Sequence, residues 1–341
     1  SFSPNHNEVK MSFWAKWNDV TFPEVTLLVL QVVTIFVLRL MWAKVRAGAF
    51  NVKGLPHDPQ KAKAEMDKVK WGNVMYLHKP NGTKICAVYS EVKDSKLLII
   101  YSHGNGGDLT KEYMQERCKM CIELGVSVLT YDYSGYGASE GQRSEKAWVD
   151  DLDFISQFCQ ESLNWKKKRI IQVGQSIGTG VTMSHLQRCG GGYGGVVLFH
   201  PYKSIIATKI GDKAKWLRLL DLFINENKMS YVDCEALIVH GTADSTVPYE
   251  HGVTLANLLK KKRLLHRFVP IKNGGHGNIF EVEEFKVQVS WALKEYIDFL
   301  KKKIEPTPTG SIRKRRKSFK DIKDESIARM VSSMSFRKSK Q

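Results

Sequence analysis

The sequence predicts an α/β fold on a mostly parallel sheet, entered through an antiparallel edge and preceded by an apolar helix. Three observations carry that prediction. Short apolar runs alternate with longer amphipathic stretches over residues 68–303, the pattern of βαβ units. Two earlier runs, 73–78 and 84–89, flank Asn81-Gly82, and Asn-Gly between strands marks a hairpin. Residues 25–42 read VTLLVLQVVTIFVLRLMW, apolar but for Thr26, Gln31, Thr34 and Arg39.

This helix is expected over 21–43, after an N-terminal segment of residues 1–20. Thr21 and Glu24 match a capping box, and Pro23 is tolerated in the first turn. Crossing a hydrocarbon core of about 30 Å takes roughly 20 residues, which Phe22 to Trp42 supplies. Trp14 and Trp17 on one side and Trp42 on the other suit an aromatic belt, and Arg39 can snorkel towards headgroups. A membrane anchor is preferred over an interfacial helix, a buried helix or a cleaved signal. Ala47-Gly48-Ala49 resembles a cleavage site, yet Arg39, Lys44 and Arg46 stand before it and no strongly basic segment precedes the run. Lys44, Arg46 and Lys53 outnumber Lys10 and Lys16, so the positive-inside rule turns the bulk of the protein to the cytosol.

The body is expected over 45–303. Buried strands are read at 97–104, 126–133, 169–174, 195–200, 236–241 and 264–270, with helices near 108–124, 144–163, 176–189, 249–262 and 280–303. The stretch 204–235 is too long for a plain connection. Its Trp216, Leu217, Leu219, Leu220, Leu222 and Phe223 make it a candidate lid, or else a helix that covers the sheet. Residues 304–341 carry Arg313-Lys314-Arg315-Arg316-Lys317 after a Pro-Thr-Pro-Thr-Gly opening, a composition expected to form a disordered polybasic tail.

One α/β domain with such tails fills the 341 residues. At 43% hydrophobic and 26% charged residues, the chain is neither wholly disordered nor fibrous. More than half of the net charge of +17 falls in 301–341, so the tail makes the chain basic. Six scattered cysteines give no disulfide framework, which suits a reducing compartment. Cys118 and Cys121 form a lone CxxC without a second pair, expected to be ordinary helix-face cysteines; no metal site is expected.

Gly174-Gln175-Ser176-Ile177-Gly178 fits G-x-S-x-G between an apolar run and a helix-length stretch, the strand–turn–helix setting of a nucleophile elbow. A serine hydroxyl needs a base and an orienting acid to become nucleophilic. Asp244 follows the run Ala236 to Gly241, and His276 follows Leu264 to Pro270, both at carboxyl ends of expected strands, where open α/β sheets build their sites. His200 and His240 fall at strand ends and are read as packed or hydrogen-bonded, and His185 as helical. An oxyanion needs donors; the backbone N–H of Asn105, with Gly106 as second choice, follows the run Leu97 to Ser102, and that of Ile177 follows the serine.

SHGNGGDL (102–109), YDYSGYGASEG (131–141), GQSIGTG (174–180) and HGTADSTVPYEHG (240–252) resemble the α/β-hydrolase-domain-containing protein 17 family over about residues 45–300. The resemblance implies an α/β-hydrolase fold and a membrane-associated serine hydrolase that removes palmitate from cysteine thioesters on cytosolic proteins. It implies Ser176 as nucleophile, Asp244 as orienting acid and His276 as base. The apolar helix stands where that family carries a palmitoylated cysteine cluster.

The expected function is thus cleavage of acyl thioesters at the cytosolic membrane face through an acyl-enzyme, with no cofactor. Two alternatives are a lipase or lysophospholipase using the same residues on glycerolipid esters, and a non-catalytic membrane adaptor. The expected partners are an S-acylated protein or lipid substrate and the membrane, with anionic lipids held by the basic tail; nucleic acid is not expected. Ser318, after Arg315-Arg316-Lys317, suits basic-directed kinases, and phosphate there would weaken tail–lipid contact. Asn81-Gly82-Thr83 is a glycosylation sequon, read instead as the hairpin turn.

Overall fold

In the computed structural model the described residues are 22–50, 59–211, 217 and 219–304. The expected cap residue Thr21, Trp14, Trp17, Trp216 and the tail with Ser318 lie outside them. The chain divides into two compact units at Gly48/Ala49.

Helix α1, Phe22–Phe50, makes up all that is described of the first unit and ends just inside the second. It runs past the expected end at 43 because Ala43, Ala47 and Ala49, the strongest helix formers, carry it on. The Arg46 guanidinium stacks 4.6 Å over the Trp42 ring one turn back. From Leu27 to Leu40 its large apolar side chains are exposed. Val25–Phe50 is long and apolar enough to cross a membrane, with mean hydropathy 2.2.

The second unit holds an eight-stranded sheet of order β1-β2-β4-β3-β5-β6-β7-β8. The strands are β1 Asn73–His78, β2 Lys84–Ser90, β3 Leu98–Ser102, β4 Ser127–Tyr131, β5 Ile170–Gln175, β6 Gly195–Phe199, β7 Ala236–Gly241 and β8 Leu265–Ile271. As expected, β1 and β2 form the antiparallel edge, and the pairs from β4 through β8 are parallel. The Asn81 side chain accepts the Thr83 N–H in the hairpin turn.

Helix α2 is Pro59–Met66, α3 Glu112–Glu123, α4 Glu145–Glu161, α5 Ile177–Cys189, α6 Ile205–Ile210, α7 Asn225–Lys228, α8 Tyr249–Lys261 and α9 Glu283–Lys303. Strands β3 to β7 are buried throughout, as parallel strands covered on both faces must be. Side-chain alternation splits them between two cores. Leu98 and Ile100 of β3 pack with Trp148 and Phe158 of α4 and Val181 of α5. Ile99 and Tyr101 pack with Met114 and Cys118 of α3 and Leu293 and Tyr296 of α9. Cys118 and Cys121 are free and buried on α3, as expected for a helix face.

Helix α3 starts later than the expected residue 108, because Asp108 folds its side chain back onto the Thr110 N–H and holds 108–111 as a turn. The candidate lid contains only short helices in its described part. Ser204 caps α6 by accepting the Ala207 N–H, Leu219 is 97% exposed, and Phe223 is buried and stacked on Trp148.

Candidate active site

Strand β5 ends at Gln175 and α5 begins at Ile177, so the chain must reverse at one residue. Ser176 does so with φ 51° and ψ −120°, a region that costs a non-glycine residue about 1–3 kcal/mol. The two flanking glycines make that turn sterically feasible. A Cβ on Gly174 would meet the Gly178 carbonyl oxygen at 2.7 Å, and one on Gly178 would meet the Ser102 carbonyl oxygen at 2.2 Å. The helix thus sits closer to its strand and to the β3 loop than any side chain allows. The Ser176 N–H donates to Phe199 O at 2.9 Å. Gln175 is held from beneath, its Oε1 accepting from Tyr101 Oη at 2.9 Å and Arg117 at 2.6 Å.

Asp244 follows β7 and His276 follows β8, and the structure brings both to Ser176. His276 Nε2 is 2.9 Å from Ser176 Oγ, and its Nδ1 is 2.8 Å from Asp244 Oδ2. Asp244 Oδ1 accepts the Thr246 and Val247 N–H groups at 2.9 and 2.8 Å. That pins the carboxylate in its own turn and aims Oδ2 at the imidazole. Ser176 and His276 are half-buried and Asp244 buried, so a reactant can reach the hydroxyl but not the acid.

Two further imidazoles share Oδ2, which the sequence reading did not assign to the site. His200 Nδ1 lies 2.8 Å from it and His240 Nε2 3.4 Å. His200 Nδ1 thus adds a close polar contact to the oxygen that His276 uses. His240 Nε2 is 3.0 Å from Val247 O. Burial alone would raise Asp244, but His200, His240 and His276 outweigh it and hold the carboxyl far below the usual range. Burial lowers His200 to about 4, so it stands neutral at physiological pH. His200 also keeps a positive φ of 49°. His200, His240 and Asp244 place three buried donor atoms within 4.8 Å of one another, although the Asp244 oxygen between them already serves His276.

The loop after β3 lies beside the serine: a Cβ on Gly104 would come 3.7 Å from Ser176 Cβ. Asn105 is held by Tyr136, whose hydroxyl donates to the Asn105 carbonyl at 3.2 Å and to its side-chain oxygen. Tyr133 Oη donates to His103 O at 2.7 Å. Among the described residues neither the Asn105 nor the Ile177 N–H donates a hydrogen bond, which leaves both for a ligand. The tyrosines and the buried Trp148 beneath them set this loop's position, and YDYSGYG was their only sequence signal.

A family model described as serine aminopeptidase, S33, matches residues 93–235. A protein of Acanthamoeba polyphaga mimivirus named as an alpha/beta hydrolase is 30% identical over 202 residues, 59% of this chain and 73% of that protein. Human alpha/beta hydrolase domain-containing protein 17C is 29% identical over 249 residues, 70% of this chain and 69% of its own length. Among solved structures, Est1E from Butyrivibrio proteoclasticus, in a complex with ferulic acid, superposes with a TM-score of 0.54 at 19% identity, covering 67% of this chain and 99% of that one. An esterase from Pyrococcus furiosus gives 0.53 at 20% identity, over 66% and 91%. At these identities the two structures speak for the fold alone. The chain belongs to the α/β-hydrolase family and, within it, is similar to the domain-containing protein 17 members.

Proposed function

We propose that this chain is a membrane-anchored serine hydrolase that cleaves acyl thioesters, removing palmitate-like chains from S-acylated proteins at the cytosolic membrane face. The observation that carries the reading is the unbroken relay from Ser176 Oγ through His276 to Asp244. His276 Nε2 takes the hydroxyl proton as Oγ attacks the carbonyl, and Asp244 holds the ring and balances its positive charge. The Asn105 and Ile177 N–H groups receive the developing oxyanion, each such donor contributing about 3–4 kcal/mol in the transition state. The thiol then leaves, and His276 activates a water that hydrolyses the acyl-enzyme.

The thioester assignment rests on the resemblance of four sequence blocks to the protein 17 family, and the anchor on Val25–Phe50. Six free cysteines suit a reducing cytosol. A substrate whose acyl chain lies in the bilayer is met fastest by an enzyme fixed to that surface, and the basic tail would add attraction to anionic lipids. An apolar anchor serves a glycerolipid ester equally well, so the assay must separate the two. A fluorophosphonate probe should label the native chain and not Ser176→Ala; folded native chain left unlabelled would favour a non-catalytic adaptor. Release of palmitate from an S-palmitoylated peptide, exceeding that from lysophospholipid, is the expected second result, and the reverse order would assign a lipase.

A further inference from the structure

Helix α3 sets Arg117 inside the body, where the residue is only 7% exposed. No carboxylate among the described residues lies within ion-pair distance of it, and its Nε is buried without a hydrogen-bond partner. Three contacts lead from this guanidinium to three loops of the candidate site. Nη1 donates to Gln175 Oε1 at 2.6 Å, and Gln175 is the residue before Ser176. The guanidinium lies 4.4 Å over the Tyr113 ring, whose hydroxyl fills the space that a Cβ on Gly107 would take in the loop after β3. It also lies 4.6 Å over the Phe280 ring, at the end of the turn Asn278–Phe280 that follows His276.

Each contact carries on towards a reacting group. A Cβ on Gly104 would meet Gln175 Cδ at 3.8 Å, so fixing the Gln175 amide also supports the loop that bears Asn105. Phe280 packs edge-on against Phe199 with ring centroids 5.0 Å apart, and the Phe199 carbonyl accepts the Ser176 N–H. Asn278 Oδ1 accepts the Gly275 N–H at 2.7 Å, which ties the same turn to the residue before His276. Taking a guanidinium out of water with no carboxylate beside it is unfavourable. A Met at 117 would fill the space beside the two rings without that cost. Packing alone therefore does not explain the charge.

We propose that Arg117 is a positioning residue for the reaction at Ser176, clamping the serine's elbow, the oxyanion loop and the His276 loop together through Gln175, Tyr113 and Phe280. The inference rests on the hydrolase reading of Ser176 and goes beyond it, because Arg117 touches none of the reacting atoms. A planar cation suits this place, since its edge donates to an amide oxygen while its flat surface lies against aromatic rings. The three loops leave separate strands, β5, β3 and β8, so a shared link fixes their mutual distances. Attack needs Ser176 Oγ, His276 Nε2 and the oxyanion donors aligned on one carbonyl, and a misplacement of about 1 Å can cost about 10²-fold in rate.

The test compares the full native chain with Arg117→Met and Arg117→Lys by thermal melt and by fluorophosphonate labelling at increasing probe concentration. Saturation of the labelling separates probe affinity from the rate of attack by Ser176. Arg117→Met should melt at or above native, because a buried unpaired charge is gone. Its attack rate should nevertheless fall about 10- to 100-fold, with probe affinity within about twofold of native. Arg117→Lys keeps a cation and a donor for Gln175 but loses the planar fork, so its attack rate should fall between the two. A native attack rate in Arg117→Met would overturn the proposal, as would a loss confined to probe affinity. So would a melt well below native, which marks a merely structural role, or a loss in Arg117→Lys as large as in Arg117→Met. Native chain left unlabelled would sink the hydrolase reading and this inference with it, whereas labelled native chain matched by both variants sinks this inference alone.

Discussion

Replacing Asp244 by Asn tests the relay at the atom where the structure concentrates it. The amide oxygen can keep the two turn bonds, to the N–H groups of Thr246 and Val247 at 2.9 and 2.8 Å, so the turn should survive. The amide nitrogen then occupies the position of Oδ2, where it donates instead of accepting. His276 Nδ1, 2.8 Å away, must become an acceptor, which moves the ring proton to Nε2. That nitrogen then faces Ser176 Oγ with a proton instead of a lone pair and cannot serve as base. The wrong tautomer in an intact triad lowers kcat by about 10⁴, or about 5 kcal/mol of transition-state stabilisation. Folding should suffer less than activity, because the amide finds the His200 ring nearby. The assay pairs single-turnover acylation by a chromogenic acyl thioester with a thermal melt. A folded Asp244→Asn protein that keeps more than about a tenth of native kcat would refute the assignment of Asp244 as the orienting acid.

Three further outcomes are expected. Gly178→Ala forces a Cβ to within 2.2 Å of the Ser102 carbonyl and should cost about 1–3 kcal/mol of stability as well as activity, because it pushes α5 off the β3 loop; a melt and rate equal to native would count against that close approach. His200 sits near 4 when folded against about 6.5 when exposed, so between these values the unfolded chain binds the extra proton. Stability should therefore drop as pH falls from about 6.5 to about 4, by up to about 3 kcal/mol. His200→Asn, which tolerates the positive φ, should flatten that slope in urea midpoints, and an unchanged slope would be fatal to it. For the tail, a peptide of residues 304–341 should sediment with anionic vesicles and lose binding when Ser318 carries a phosphate of roughly −2 charge; equal binding with and without phosphate would end that proposal.

What could be read from the sequence and what could not divide along a physical line. Ser176, Asp244 and His276 each follow a strand within a few residues, and parallel strands all deliver their carboxyl ends to one edge. A local pattern was therefore enough to forecast a meeting of residues far apart in the chain. The strands themselves were readable because burial on both faces demands continuous apolar runs. Boundaries were less so: Asp108 diverts the backbone into a turn through one side-chain hydrogen bond, a competition that composition does not reveal.

His200 and His240 were hidden for a different reason. Phe199 of β6 is paired with Val239 of β7, so the next residues, His200 and His240, come side by side with ring centroids 5.2 Å apart. That adjacency is a property of register, and register is fixed only once both cores are packed. His185 of α5 is the same case. Its partner Asp153 lies on α4, and nothing between residues 153 and 185 announces that the two helices pack face to face. Catalytic elbows are written in neighbouring residues because strain is local. Charge environments are written in packing, so the residues that tune an acid emerge only from the folded chain.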